Sequence, residues 1–179
     1  MTALDAKIFS LLTYGIYVVS SFRQGKPFGT AQDKLNGQIA DVVFQVAAEP
    51  PLVAVSINCQ NLTHELIAES KRFAVSVVSQ DAPLKFVGLF GFKCGRDVDK
   101  YSGISHKVLD SGSPVILDHS LGWLDLEVVQ TMALGTHTLF IGKVIASEVL
   151  AQGEPMTYAY YHTIKGGATQ ANAPTHIKK

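Results

Sequence analysis

The stretch INCQNLTHELI, residues 57–67, sets Asn58, Cys59, Gln60, Asn61, Thr63 and His64 between an apolar run and an amphipathic helical pattern. A strand end that leads at once into a helix start is a place where anions bind. The first backbone N–H groups of a helix lack partners and carry a partial positive charge. Asn and Thr side chains add neutral hydrogen bonds to a phosphate without requiring a cation. The same residues also serve as ordinary N-caps, a role in which Asn and Thr are common, so the phosphate reading needs a second witness. The rest of the chain shows no catalytic triad, paired-carboxylate motif or metal-ligand set. Cys59 and Cys94 are the only cysteines and form no CxxC, too few thiolates for a structural zinc or a rubredoxin-type iron site. No Gly-rich turn joins a strand to a helix, which argues against Rossmann and P-loop nucleotide sites.

The bulk properties narrow the partners. The 179 residues suit one domain, and 47% hydrophobic against 17% charged residues describe a compact soluble protein. Fifteen basic residues balance fifteen acidic ones, and no block of like charge occurs. Nucleic acid is therefore not expected as a partner, since that binding is driven by clustered Lys and Arg. The apolar segment 8–19 is interrupted by Ser10, Thr13 and Gly15 and lacks a cleavage pattern, and no run is long enough to span a bilayer. A cytoplasmic location with reduced cysteines is the expectation.

The elements that must position the polar stretch read as mainly β. The pattern predicts a short helix over 5–12, a strand over 16–22, a long exposed hairpin loop over 23–34, a returning strand over 35–46 and a turn at Glu49-Pro50-Pro51. An apolar strand over 52–57, a helix over 63–70, the strand FAVSVVS and a short helix over 83–90 follow. The segment 91–103 is irregular. Two long strands, LGWLDLEVVQTM and HTLFIGKVIASEVL, are joined by ALGT. Consecutive strands with hairpin-length links favour an antiparallel barrel with short peripheral helices over a doubly wound sheet. The Gly-, Ala-, Thr- and Asn-rich segment 166–179 is expected to be a flexible tail, or draped on a partner, after a domain covering 1–165.

The block from residue 36 to 79, NGQIADVVFQVAAEPPLVAVSINCQNLTHELIAESKRFAVSVVS, resembles the signature region of the flavin reductase family, the FMN-binding split β-barrels. The likeness continues through GTHTLFIGKV and ends at PMTYAYYH, so it covers residues 5–165. YGIYVVSS, NGQIA, FGFKCGRDVDKY and GEPMTYAYYH are most similar to a subgroup in which the flavin module is often fused to rubredoxin and passes electrons towards flavodiiron proteins. The resemblance implies an antiparallel split β-barrel of Greek-key type, a homodimer, FMN as cofactor and NAD(P)H as co-substrate. No rubredoxin-type cysteines occur in these residues, so a rubredoxin or flavodiiron acceptor is expected to be a separate molecule.

The resemblance also assigns residues. Asn36, Gly37, Gln38, Ile39 and Ala40 are expected along the flavin ring edge, with Gly37 letting backbone approach the ring. Asn58, Asn61, Leu62 and Thr63 are expected to hold ribityl and phosphate, with Phe90 nearby. Lys93 is the expected cation opposite the phosphate, with Arg96 second. His137 is expected beside the nicotinamide or the outer flavin face, as the catalytic residue. Tyr160, with Tyr158 and Tyr161, either stacks on the flavin or forms a dimer contact. Two departures stand out: Asp41 and Val42 follow NGQIA where Asn, Ser or Thr is frequent, and Thr136 replaces a frequent Asp before His137. An FMN-binding electron carrier without efficient nicotinamide oxidation, and a barrel without flavin acting as a binding module, are the rival readings.

Overall fold

The computed structural model describes residues 5–23 and 35–176; the predicted hairpin loop lies, from residue 24 to 34, outside the described residues. Asp5 caps a 3-10 helix at Ala6–Leu11, its carboxylate accepting from Lys7 N at 3.0 Å. The strands β1 (Tyr17–Phe22), β2 (Leu35–Ala40), β3 (Val43–Ala48), β4 (Pro51–Asn58), β5 (Arg72–Val78), β8 (Ser120–Leu134) and β9 (His137–Val149) form one antiparallel sheet. A separate hairpin joins β6 (His106–Val108) to β7 (Pro114–Ile116). The helices are α1 (Leu62–Ser70), α2 (Leu84–Phe92) and α3 (Tyr158–Thr163).

Strand order explains the barrel. The sheet runs β2-β1-β5-β8-β9-β4-β3, so β2 and β3 stand at opposite edges. Only Asp41 and Val42 separate them in sequence. Two segments so close in the chain reach opposite edges only if the sheet curls until its edges meet. The seam so formed lies at Asp41–Val42, and Ser56 N, donating to Val42 O at 3.1 Å, carries the β3–β4 ladder up to it.

Both faces of β1 are buried, which is why its sequence is apolar without strict alternation. Val19 joins Val55, Ile57, Phe73, Val75, Leu126 and Phe140 in the barrel interior, together with Ile67 of α1. Val18 faces the other way, against Phe86, Val87 and Phe90 of α2, Ile116 of β7 and Tyr161 of α3. The fold expected from the sequence is the fold observed. Two details differ. The β6–β7 pair, only three residues per strand, has too little pattern to be legible. TYAYYH, for which no helix is expected above, folds as α3, since Thr157 Oγ1 accepts from Tyr160 N at 3.1 Å and caps it.

Candidate functional site

Two adjoining cavities open where the seam meets α1 and α2. The first is walled by Gln38, Ile39, Ala40, Asp41, Ser56 and Asn58, with Tyr158 and Tyr161. The second is bounded by Asn36, Leu62, Phe90, Lys93, Gly95, Arg96 and Lys100. Gln38, Asn61, Gly91, Phe92, Thr169, Gln170 and Asn172 border both, so the two form one elongated site.

The second cavity suits an anion. Asn61 occupies the N-cap position of α1 but its side chain makes no capping bond. Its amide, and the unpartnered N–H groups of the first turn, are therefore available to a ligand. Three cations border this cavity and differ in what they already hold. Arg96 is paired with Glu65 of α1. Lys93 is exposed and makes no ion pair among the described residues. Lys100 is only 4% exposed, and its ammonium donates to Gly37 O at 2.9 Å and Phe90 O at 3.2 Å, with no carboxylate partner among the described residues. Burial pushes its pKa down to about 8, partly opposed by the Cys94 thiol nearby. Sequence reasoning missed Lys100 because a lysine in an irregular, charged segment reads as solvated; nothing local marks it as buried.

Along β2 the structure separates the expected ring-edge residues. Asn36 and Gln38 border the second cavity, and Gln38, Ile39 and Ala40 wall the first. Asn36 Oδ1 and Gln38 Oε1 are buried without a hydrogen-bond partner among the described residues. Such oxygens are costly unless a ligand or water satisfies them. Gly37 contributes its carbonyl to Lys100, but its missing side chain makes room elsewhere: a Cβ there would lie 3.0 Å from Ser20 Oγ and from Tyr101 Oη, in the core. The tight approach to the site is made by Gly95, where a Cβ would fall 2.0 Å from Asn36 Oδ1. Thr63 is fully buried and accepts from Asn36 Nδ2 at 2.7 Å, so it supports Asn36 from beneath and borders neither cavity.

The outer side of the site is set by strand register. Asn58 of β4 pairs directly with His137 of β9, which brings together residues far apart in sequence. The β8–β9 turn that precedes His137 depends on Gly135 at φ +70°, a conformation that L side chains rarely adopt. His137 Nδ1 lies 2.9 Å from Thr136 Oγ1, and its Nε2 lies 3.1 Å from the main-chain O of Asn172. Among the three tyrosines, Tyr158 and Tyr161 wall the first cavity, while Tyr160 packs against the α2 core without bordering either cavity. On a helix, positions i and i+3 share a side and i+2 does not. Asp41 is buried at the seam, where it accepts from the Thr175 hydroxyl; burial raises its carboxyl above the usual range. Cys59 and Cys94 are both free thiols.

These features fit a flavin phosphate ester: a helix start with a free cap, two lysines without carboxylate partners, and orphaned amide oxygens beside an apolar slot. Among the described residues no helix is long and apolar enough to cross a membrane. Residues 9–166 match the family described as "Flavin reductase like domain". The chain is 47% identical to a high molecular weight rubredoxin of Moorella thermoacetica, over 96% of this chain and 72% of that protein. It is 35% identical to a ferric-chelate reductase (NAD(P)H) of Archaeoglobus fulgidus, over 98% and 99% of the two chains. Among solved structures it is similar to an FMN-binding protein from Thermus thermophilus, with a TM-score of 0.69 and 25% identity over 84% of this chain and 78% of that one. With the split barrel, the seam cavities and these likenesses in agreement, the chain belongs to the flavin reductase-like family and is an oxidoreductase of that type.

Proposed function

We propose that the protein binds FMN in the seam site, takes hydride from NAD(P)H and passes electrons to a rubredoxin- or flavodiiron-type protein. One observation carries this reading: an anion-suited cavity opens directly into a slot bordered by the unpartnered Gln38 Oε1. FMN, when bound, would supply reversible hydride and electron chemistry that no side chain here provides. Asn61, Lys93 and Lys100 hold its phosphate, and Leu62 and Phe90 floor that end of the site. Asn36, through Thr63, keeps β2 against the first turn of α1. Gln38, Ile39 and Ala40 line the ring, and Tyr158 and Tyr161 exclude water from it. His137 serves the nicotinamide side, where an N–H donor can orient a carboxamide. The protein's task is positioning and dryness, so no strong acid or base is needed.

The chain is further read as a cytoplasmic homodimer. Phe44 and Val46 of β3, and Val129, Met132 and Leu134 of β8, are exposed apolar residues on one half of the sheet, the kind of surface a second copy covers. The likeness to a high molecular weight rubredoxin supports a rubredoxin as the acceptor. Freshly purified protein should show the absorption of bound oxidised flavin, and anaerobic NADH should bleach it. Added rubredoxin should then be reduced faster than by free FMN at equal concentration. Flavin that stays oxidised with NADH yet is reduced by a protein donor would leave an electron carrier, and colourless protein indifferent to FMN would sink both readings. A ferric chelate that outpaces rubredoxin as acceptor would move the activity towards that of the Archaeoglobus relative.

A further inference from the structure

The segment 168–176 does not leave the domain; it runs across the mouth of the first cavity and forms its outer wall. Three sets of polar contacts hold it. Thr169 Oγ1 bonds Tyr158 Oη and lies 3.0 Å from His162 Nε2. The Thr175 hydroxyl donates to Asp41 Oδ2 at the seam. Between them, the main-chain carbonyl of Asn172 takes two contacts from residues assigned above to ligand binding: Asn58 Nδ2 at 3.3 Å and His137 Nε2 at 3.1 Å.

The chemistry of the middle contact is informative. A carbonyl can only accept, so His137 carries its proton on Nε2, and its Nδ1 accepts from the Thr136 hydroxyl. The Asn58 side chain is oriented the same way, because its Oδ1 accepts from Gln60 N at 3.0 Å and leaves Nδ2 as the donor. Asn58 and His137 are direct cross-strand partners, so the two donors are set by the sheet and not by the segment that uses them. Together they form a rigid two-donor receptor for one amide oxygen. The nicotinamide carboxamide presents that same group.

We infer that the Asn58–His137 pair is the carboxamide subsite of the hydride donor, and that segment 168–176 occupies it with the Asn172 carbonyl as a built-in substitute for the donor. This rests on the reading of the site as nicotinamide-dependent. A dinucleotide must displace the segment to reach the pair, whereas a small reductant need not. The segment therefore leaves small reductants unaffected and sets the apparent affinity for the donor, which is lowered by the fraction of molecules in which the subsite is covered. The residues that anchor it at either end, Thr169 and Thr175, set that fraction.

The test uses the full-length chain loaded with FMN and read first without turnover. With oxidised NAD(P)+ added, amide exchange in the peptide spanning 168–176 should rise several-fold, while exchange around 56–61 and 137–138 should fall, because exchange reports local opening. In a Thr169→Val, Thr175→Val double variant, the KM for NAD(P)H should drop about fivefold, as loss of the anchoring hydrogen bonds uncovers the subsite, and reduction by dithionite should keep its rate. Increased protection of 168–176 by the dinucleotide, or a higher KM in the variant, makes the segment a part of the donor site and overturns the substitution. Unchanged exchange at 168–176 despite protection at 56–61 and 137–138 overturns it as well. If the dinucleotide protects neither strand end and NADH leaves the flavin oxidised, the nicotinamide reading itself fails and this inference falls with it. Should the variant not fold, the exchange measurement on the unaltered chain decides.

Discussion

Asn36 and Thr63 are joined by a buried hydrogen bond of 2.7 Å that ties β2 to the first turn of α1. Two residues before Thr63 in the same polar stretch, Asn61 leaves its side chain uncommitted. These neighbours therefore separate support from binding. Thr63→Val should lower unfolding free energy by about 1–3 kcal/mol, the penalty of leaving the Asn36 amide buried and unpaired, as read by urea denaturation of the flavin-free chain. Asn61→Ala should leave stability nearly unchanged but weaken FMN about tenfold, the value of one hydrogen bond to a charged group. FMN affinity unaffected by Asn61→Ala would remove the residue from the phosphate site.

Lys100 should make FMN binding sensitive to pH. Its pKa is depressed to about 8, and the protonated form is the one that attracts a phosphate. That attraction is present below about pH 8 and is lost as pH rises through it. FMN affinity should accordingly fall about tenfold between pH 7 and pH 9, as for any ligand that needs one group protonated with that pKa, while riboflavin affinity stays level. In Lys100→Met the FMN profile should be as flat as that of riboflavin, which fluorescence titration will show.

Lys93 and Arg96 should differ despite bordering one cavity. Arg96 is already neutralised by Glu65, whereas Lys93 makes no ion pair among the described residues. Lys93→Gln should raise the FMN dissociation constant and flatten its dependence on salt, because an exposed charge contact is screened by ions. Arg96→Gln should do less of both. Equal effects would mean that the Glu65 pair gives way when ligand binds.

A methyl group at residue 95 should disturb the site from the loop side. The added Cβ would meet Asn36 Oδ1 at 2.0 Å and force that amide off Thr63. Gly95→Ala is expected to lose about 1–3 kcal/mol of stability through overpacking, together with FMN affinity. A parallel Gly103→Ala control, where a Cβ meets nothing within 4 Å but the backbone has φ +72°, separates contact from backbone strain.

His137→Ala should slow reduction by NAD(P)H while FMN occupancy stays near that of the parent, since the ring contacts Thr136 and segment 168–176 and borders neither cavity. Stopped-flow bleaching and the flavin-to-protein ratio of the purified variant give the two readouts. Loss of flavin instead would place His137 on the cofactor side.

The amino-acid sequence by itself determined the longer strands, the two main helices and the strand-to-helix junction at residues 58–62. Each of these is written in local pattern: β-branched runs, a 3.6-residue period, prolines at boundaries. The order of motifs was enough to name the family. Tertiary structure alone decided which residues of those motifs face the site. Thr63 points beneath Asn36 because the first turn of α1 packs on β2, a contact that no local spacing encodes. Tyr160 is turned from the cavity because TYAYYH folds as a helix, and Tyr158 and Tyr161 take the wall. Lys100 became a buried cation only when β2 and α2 closed over it. Asn58 meets His137 through the register of β4 with β9, and segment 168–176 reaches both because the barrel seam holds Asp41 where Thr175 can bond to it. Such encounters depend on how a curled sheet brings distant residues together, and a one-residue slip of β4 would send Asn58 to the opposite face from His137.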